Sequence, residues 1–282
     1  MKVIVGRLAG FCGGVTKSVN ISNKLLEQYG SMYCLGELVH NKQVVDELEE
    51  KGIKFVDDIN EVPEGSKVII RAHGVPIEIY EKAKEKNLEI FDLTCHNVLS
   101  IHDLAESLVE DNFIVLVAQR NHPEAIGTIS FCGSNSMIVE DEDDLDELDK
   151  LYKESMFEKI SIISQTTYSV KKFNDICELI KNKYSNVEVH NTICMATGMR
   201  QEETDELSKK VDAMIIIGGA NSSNTKKLYE VSKHNNENTF IVQTVEELKD
   251  KDFSMCDKVG VMAGASTPKK SIDEVVEYLE RC

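Results

Sequence analysis

The sequence predicts an α/β protein built from three repeated modules with parallel sheets. Hydrophobic runs alternate with amphipathic helical segments along the whole chain, which is typical of parallel sheets covered by helices. The alternation repeats about every 90 residues, and polar residues recur at matching positions of each repeat. A repeated strand–helix pattern with matching polar positions therefore predicts both the fold class and the location of the site.

Composition narrows the class of protein. The 282 residues are 41% hydrophobic and 29% charged, which is ordinary for a globular protein. The formal charge of -17 would repel a phosphate backbone, so no nucleic-acid partner is expected. The opening MKVIVGRLAG is too short for a secretory signal, and no apolar run approaches the roughly 20 residues that span a bilayer. We therefore expect a cytoplasmic location and no membrane partner.

The chain contains eight cysteines but no C-x-x-C pair, which leaves zinc ribbons and the ferredoxin ligand run unsupported. A reducing cytoplasm disfavours disulfides, so these thiols are expected as core residues, nucleophiles or metal ligands. Cys34, Cys132, Cys177 and Cys256 are expected to be small core residues, and Cys282 stands at the end of the sequence.

The other three cysteines, Cys12, Cys95 and Cys194, each end a β-like run and open a helical one. The helix that follows leads to a strand, in SMYCLGEL, FIVLVAQ and AMIIIGG, and then to a polar tip. The tips are His40, His122 and Ser222, which lie 28, 27 and 28 residues after their cysteines. Such regular spacing indicates one design used three times.

A further strand of each module also ends in polar residues, in KVIIRAHGV, KISIISQTTYS and KVGVMAGASTP. These endings supply His73, Thr166 with Thr167, and Ser266. Ligands of parallel α/β sheets bind beyond the carboxyl ends of the strands. Three modules around a pseudo-threefold axis would therefore direct the three cysteines and six polar tips to one central cavity.

Module boundaries follow from the positions of the cysteines. We expect the modules at residues 13–94, 95–193 and 194–270, with the terminal segments 1–12 and 271–282 packing against them.

Three converging thiolates suit either a zinc site with one open position or a [4Fe–4S] cluster with one iron free of protein ligands. A cubane accommodates ligands from separate modules more readily, which favours iron and sulfur. Gly13 and Gly14 would let the backbone approach a bulky cluster, and amides at the start of the helix could donate to its sulfurs. Tight turn formation is the simpler explanation of these glycines.

The motifs of the chain, taken together, resemble those of one known family along essentially its whole length. The motifs GFCGGV, ELVHN, AHGV, TC, HPEAIGT, SQTT, TIC followed by AT and RQ, SSN and GAST resemble, in order and spacing, the 4-hydroxy-3-methylbut-2-enyl diphosphate reductase family, known as IspH or LytB. The resemblance implies three α/β modules around one [4Fe–4S] cluster per chain. It also implies reductive removal of an allylic hydroxyl as water, giving isopentenyl and dimethylallyl diphosphates in the last step of the methylerythritol phosphate pathway. An electron donor of ferredoxin or flavodoxin type is implied as the protein partner.

The resemblance also assigns roles residue by residue. It implies that Cys12, Cys95 and Cys194 ligate the cluster, that Glu124 delivers a proton, and that Thr166 lies near the substrate hydroxyl. His122 is expected beside them in both catalysis and binding. The diphosphate-binding positions implied are His40, His73, His122, Thr166, Ser222, Ser223, Asn224 and Ser266.

Four residues depart from the family pattern, namely Gly13, His96, Asn121 and Met199. They leave open a paralogue with another substrate. Two further alternatives are a [4Fe–4S] lyase or dehydratase resembling quinolinate synthase, and a non-catalytic redox-sensing protein with a cluster or zinc. The histidines, Glu124 and Thr166 argue against the non-catalytic alternative, because a sensor needs no prepared diphosphate site.

Overall fold

The computed structural model describes residues 1–282 and contains twelve strands in three sheets. The strands are β1 (Lys2–Val5), β2 (Met32–Leu35), β3 (Ile53–Val56), β4 (Lys67–Ile70), β5 (Glu89–Asp92), β6 (Phe113–Val117), β7 (Ser136–Val139), β8 (Ile160–Ser164), β9 (Val187–Val189), β10 (Ala213–Ile217), β11 (Thr239–Val242) and β12 (Lys258–Ala263). All pairings are parallel. The predicted three parallel-sheet α/β modules are confirmed.

Ten α-helices connect or follow these strands. They are α1 (Gly13–Tyr29), α2 (Lys42–Glu50), α3 (Ile77–Glu85), α4 (His96–Leu108), α5 (Pro123–Ile129), α6 (Leu145–Glu154), α7 (Val170–Lys183), α8 (Met195–Ser208), α9 (Ser223–Asn235) and α10 (Lys269–Arg281). None of these helices combines the length and the apolar character needed to cross a bilayer.

The three sheets share one strand order. They run β3-β2-β4-β5, β7-β6-β8-β9 and, read from its other edge, β11-β10-β12-β1. The strands β6, β8 and β10 are buried at every residue. In β6, Val115 shares a core cluster with Phe173 of α7, whereas Leu116 shares another with Ile101 of α4. Helices on both faces explain why β6 and β10 are continuous apolar runs without polar alternation.

The third sheet is completed from the start of the chain. Its edge strand β1 pairs with β12 in the register Lys2↔Lys258 to Val5↔Val261. Val3 of β1 packs on the same core cluster as Val275 and Leu279 of α10. β1 thus occupies the position that β5 and β9 hold in the other two sheets.

By compactness the chain divides into two units. The first comprises residues 1–17, 39–47 and 195–282 and contains the sheet of β1, β10, β11 and β12; the second comprises residues 18–38 and 48–194 and contains the other two sheets. The first unit holds Cys12, His40, Ser222, Ser223, Asn224 and Ser266. The second holds His73, Cys95, His122, Glu124, Thr166 and Cys194. The module boundaries expected from the sequence stay a prediction.

The cysteines outside the predicted ligand set are mostly core residues, and all eight cysteines are free of disulfides. Cys34, Cys132 and Cys177 are buried, and burial raises the pKa of the Cys34 and Cys132 thiols to about 12. These thiols are therefore protonated and act as small hydrophobic groups. Cys256 is only half-buried, contrary to expectation, because it lies in the loop before β12 near Asp212 and Asp252.

Candidate active site

Every residue predicted at a strand-to-helix turn lies at one. Cys12, Cys95 and Cys194 directly precede α1, α4 and α8. His40, His122 and Ser222 lie between β2 and α2, β6 and α5, and β10 and α9; His73, Thr166 and Ser266 lie between β4 and α3, β8 and α7, and β12 and α10. The carboxyl ends of the strands in all three sheets therefore carry the polar residues, as expected for parallel sheets.

In the first unit, Cys12 is half-buried and its backbone is fixed to the end of β12. Its amide donates to Ala265 O at 3.1 Å, and the Val15 amide approaches Cys12 Sγ at 3.5 Å. A Cβ built on Gly13 would meet no atom within 4 Å. The amide at Val15 and the open space beside Gly13 provide a donor and room for a bulky group on this sulfur.

The start of α9 carries an unsatisfied buried amide. Ser222 is the N-cap, and its Oγ accepts from the Thr225 amide at 3.3 Å. Two residues further, the side chain of Asn224 is 3% exposed, yet neither its Oδ1 nor its Nδ2 has a hydrogen-bond partner. An unsatisfied buried polar group costs folding free energy, so it calls for a ligand as its partner. A helix N-terminus and a free amide together suit an anion.

The turn that carries His40 packs closely on the turns after β10 and β12. Ser266 Oγ donates to His40 O at 3.0 Å. A Cβ on Gly219 would lie 2.7 Å from the same carbonyl, a distance that real Cβ atoms essentially never show. Gly219 therefore lets the His40 turn approach the β10 turn, and only glycine fits there without displacing it.

In the second unit, two further cysteines are held by equivalent backbone bonds. The Cys95 amide donates to Ala72 O, and the Cys194 amide donates to Thr166 O, each at 3.0 Å. Asn97 Nδ2, from the first turn of α4, donates to Cys194 Sγ at 3.0 Å. This side-chain donor fixes the orientation of the Cys194 sulfur, and hydrogen bonds of this kind orient metal ligands.

Glu124 and Thr166 form a buried pair. Glu124 is 1% exposed; its Oε1 accepts from the Thr166 amide at 2.5 Å and its Oε2 from Thr166 Oγ1 at 2.7 Å. Burial raises the pKa of the Glu124 carboxyl to about 7, although the Thr166 hydrogen bonds act in the opposite direction. A carboxyl that titrates near neutrality is suited to donate a proton in a reaction at pH 7.

The histidine at the start of α5 has a defined tautomer. His122 Nδ1 accepts from the Glu124 amide at 3.1 Å, so a neutral His122 carries its proton on Nε2 and can donate from there. His73 lies beside it, with ring centroids 5.5 Å apart in an edge-to-face arrangement. Both turns are brought together by Gly127, where a Cβ would come within 3.3 Å of the Val75 backbone.

Each of the three cysteines has surroundings that suit a ligand of an iron–sulfur cofactor. Each is half-buried and forms no disulfide, whereas the core cysteines Cys34 and Cys132 are fully buried and their thiol pKa values are raised by that burial. The Cys12 sulfur accepts from Val15 N, and the Cys194 sulfur accepts from Asn97 Nδ2. Hydrogen bonds to the ligand sulfurs are a usual feature of iron–sulfur sites.

Sequence reasoning missed Asn97 and Gly219. Asn97 follows Cys95 by two residues, at the first turn of a helix, but no local pattern links it to Cys194. Gly219 belongs to the apolar run AMIIIGG, where glycine after a strand has many explanations. The four residues that depart from the family pattern, Gly13, His96, Asn121 and Met199, are all exposed.

Comparison with known proteins identifies the family. A family model described as LytB protein matches residues 3–280. The chain belongs to the LytB family. This assignment decides against the alternative that resembled quinolinate synthase.

Relatives and solved structures of the LytB family cover the whole chain. The 4-hydroxy-3-methylbut-2-enyl diphosphate reductases of Alkaliphilus oremlandii and Aquifex aeolicus are 41% and 40% identical, covering 99% of this chain and 99% and 96% of theirs. A structure of (E)-4-hydroxy-3-methyl-but-2-enyl diphosphate reductase, described as the terminal enzyme of the non-mevalonate pathway, is 38% identical with a TM-score of 0.71 over 100% of both chains. The Plasmodium falciparum reductase gives a TM-score of 0.93 at 31% identity, covering 99% of this chain and 87% of that one.

Proposed function

We propose that this chain reduces 4-hydroxy-3-methylbut-2-enyl diphosphate to isopentenyl and dimethylallyl diphosphates. Two electrons and two protons are consumed, the allylic C–O bond breaks, and the oxygen leaves as water. Membership of the LytB family and its reductase relatives support this reaction. The observation that supports the proposal most directly is the buried Glu124–Thr166 pair, because a carboxyl with a pKa of about 7 is suited to donate a proton in this reaction.

The proposed cofactor is one [4Fe–4S] cluster per chain, held by Cys12, Cys95 and Cys194. When bound, such a cluster supplies the electrons and a Lewis-acidic iron without a protein ligand. The partial exposure of the three thiols, each directly before a helix, supports this ligand set. The chain's own contribution is the donors at Val15 N and Asn97 Nδ2, which hydrogen-bond to the sulfurs of Cys12 and Cys194 and orient them.

The diphosphate is proposed to bind at the polar turns. The residues are His40, His73, His122, Thr166, Ser222, Ser223, Asn224 and Ser266. Asn224 supports this assignment most directly, because its buried amide has no protein partner. His122 can donate from Nε2, since its Nδ1 accepts from the Glu124 amide. Hydroxyls, an amide, histidines and the N-terminus of α9 can hold the anion in a chain of net charge -17.

Proton delivery is assigned to Glu124, with Thr166 as the neighbouring hydroxyl. Thr166 Oγ1 lies 2.7 Å from Glu124 Oε2, so a proton on the carboxyl can pass through this hydroxyl to the departing oxygen. Burial keeps water from the carboxyl and raises its pKa to about 7, so that the carboxyl stays protonated up to near neutral pH. His122 is proposed to assist by fixing the backbone amide of Glu124.

A ferredoxin- or flavodoxin-type protein is proposed as the electron donor, and the cytoplasm as the location. None of the eight cysteines forms a disulfide, as expected for a protein of a reducing compartment.

Turnover of a Glu124 variant tests the assigned reaction. Reconstituted anaerobically and given a strong one-electron reductant, the protein should convert the hydroxylated diphosphate to both five-carbon products. Glu124→Gln should bind the substrate nearly as well but turn over at least about 100-fold more slowly, the usual loss for a general acid. The exposed Glu154→Gln serves as the control. Equal turnover by both variants, or binding without either product, would contradict the proposal and favour a paralogue.

Serine variants test the cofactor separately. Replacing Cys12, Cys95 or Cys194 should each abolish loading of about four irons and four sulfides per chain. Cys34→Ser and Cys177→Ser are matched controls, because both thiols are buried and lie within β2 and α7. Stoichiometric zinc without sulfide in the wild-type protein would show that the cofactor is assigned wrongly.

A further inference from the structure

The loop between β1 and Cys12 is held by side chains of α8. Glu203, in the third turn of α8, accepts from two successive amides of this loop: Arg7 N donates to Oε1 at 2.8 Å and Leu8 N to Oε2 at 2.9 Å. The Glu203 side chain is 18% exposed, so water screens this contact little. Both oxygens of one carboxylate thus satisfy consecutive backbone donors, and charge-assisted bonds of this kind are strong.

Arg200, one turn earlier on α8, also contacts this loop, but as a hydrogen-bond donor to a backbone carbonyl. Its Nη2 donates to Gly10 O at 2.9 Å, and its Nη1 donates to Ala196 O at 2.9 Å within its own helix. Arg200 is only 4% exposed. Arginine is rarely buried, because removing its charge from water is expensive. Its burial against a loop carbonyl therefore indicates a specific role for this contact.

The loop that Arg200 and Glu203 hold leads directly into Cys12. Gly10, whose carbonyl accepts from Arg200, stands two residues before Cys12 and adopts a φ of +97°, which favours glycine. Backbone bonds from Gly10 N to Ala263 O and from Cys12 N to Ala265 O attach the same segment to the end of β12. The path of the chain into Cys12 is thus fixed on one side by a strand end and on the other by two side chains of α8.

We propose that Arg200 and Glu203 are positioning residues for Cys12, which set the direction of its Sγ for cluster binding. The inference rests on the proposed cofactor, and it adds two residues that do not touch the cluster. Supporting groups around metal ligands commonly change metal affinity by about 10- to 100-fold when they are removed.

Glu203→Gln is the principal test, because it keeps the size of the side chain. A glutamine can accept from only one of the two amides, and its own NH2 then faces the other N–H. Glu202→Gln is the matched control, since Glu202 is the exposed neighbour on the same helix. Arg200→Met and Arg200→Lys form a second pair, in which lysine retains one donor and should restore part of the effect.

Two measurements use the metal-free protein. Hydrogen exchange of the Arg7 and Leu8 amides should accelerate about tenfold in Glu203→Gln, as expected for one lost hydrogen bond. The rate at which iodoacetamide alkylates Cys12, followed by mass spectrometry, should differ between Glu203→Gln and Glu202→Gln. Circular dichroism and thermal melting of each variant identify any that fails to fold, and Glu203→Gln keeps the test available if Arg200→Met unfolds.

Two further measurements use the reconstituted protein. Exposure to air should bleach the cluster about tenfold faster in Glu203→Gln than in Glu202→Gln, and the electron paramagnetic resonance spectrum of the reduced cluster should differ. Unchanged bleaching and an unchanged spectrum in Glu203→Gln would overturn the inference while leaving the proposed cofactor intact. A wild-type protein that takes up no iron and sulfide would instead overturn the cofactor, and the inference with it.

Discussion

At the residue scale, the buried carboxyl of Glu124 controls the expected pH dependence. Its pKa is about 7, and the protonated form is the one that can donate. The reductase rate should therefore fall as pH rises through 7, and this decline should disappear from the residual activity of Glu124→Gln. Steady-state rates between pH 5.5 and 8.5, with a chemical reductant of constant potential, provide the measurement. An identical decline in Glu124→Gln would assign the titration to another group.

The same carboxyl also links pH to stability. The folded-state pKa of about 7 lies above the ordinary value of 4.5, so the folded chain binds this proton more tightly than the unfolded chain. Its stabilising contribution is complete below pH 4.5 and is lost as pH rises through 7. The difference amounts to about 3 kcal/mol, at about 1.4 kcal/mol per pKa unit. Urea unfolding of the metal-free proteins should show Glu124→Gln gaining this amount relative to wild type between pH 4.5 and pH 8; a pH-independent difference would contradict the buried ionisation.

Gly219 gives a second test at the residue scale. In Gly219→Ala, the new Cβ would lie 2.7 Å from His40 O, so the His40 turn must shift. If His40 contacts the diphosphate, KM should rise about tenfold or more, with kcat reduced less, because binding is lost before chemistry. Ala220→Ser, an exposed neighbour, should leave both constants unchanged. A selective loss of kcat would indicate that His40 belongs to the proton-donating set.

The residues that the sequence identified and those that it missed differ in one physical respect. Cys12, Ser222 and Thr166 follow strands, and the end of a parallel strand is visible in the local pattern of apolar and polar residues. Asn97, Gly219 and Glu203, which the sequence missed, act through contacts with residues distant in sequence. Their partners are set by how the elements pack, which a single sequence does not encode locally.

At the scale of the element, the two ends of α9 differ in whether their asparagine side chains have hydrogen-bond partners. Asn224 at its start has no partner for its buried amide, whereas Asn235 Nδ2 at its last residue donates to Asp205 Oδ1 and Ser208 Oγ of α8. Asn224→Ala should therefore change the free energy of unfolding of the metal-free chain by less than about 1 kcal/mol, while Asn235→Ala should lower it by about 1–2 kcal/mol. Substrate affinity should be lowered more by Asn224→Ala than by Asn235→Ala. Denaturant unfolding and calorimetric titration with the diphosphate measure the two quantities.

Destabilisation by Asn224→Ala equal to that of Asn235→Ala would show that Asn224 is structural. The elements themselves were predictable because β6 and β10 are continuous apolar runs, and β8 is a mostly apolar one, each flanked by helical periodicity.

At the scale of the whole molecule, the pairing of β1 with β12 is the feature that is hardest to predict, because the two strands lie at opposite ends of the sequence. The run KVIVGRLAGFC resembles the runs that precede Cys95 and Cys194, which are β5 and β9 at the sheet edges. If the repeat is continued from the end of the chain to its beginning, β1 becomes the edge strand of the third sheet. If the repeat is followed only from the first residue to the last, residues 1–12 remain a terminal segment. Strand pairing between the two ends of the chain has no local signal in the sequence.

Omitting residues 1–5 should weaken the third sheet selectively. Without β1, β12 becomes an edge strand whose buried residues lose a neighbour. Amides of Lys258–Ala263 should exchange faster by at least tenfold, as expected when about 1.4 kcal/mol of local stability is lost. Amides of Ile160–Ser164 should be unchanged. Hydrogen exchange with mass spectrometry distinguishes these regions, Lys2→Ala is the control, and uniform acceleration along the chain would contradict the prediction.

The same pairing has a consequence for biosynthesis. Of the twelve strands, β1 leaves the ribosome first and its partner β12 last, separated by more than 250 residues. At 5–20 residues per second, the delay is roughly 10 to 50 s, during which the other two sheets have all their strands available. Val3 and Ile4 therefore stay without their partner strand throughout translation, and the nascent chain carries an apolar strand that chaperones can bind until the last module emerges.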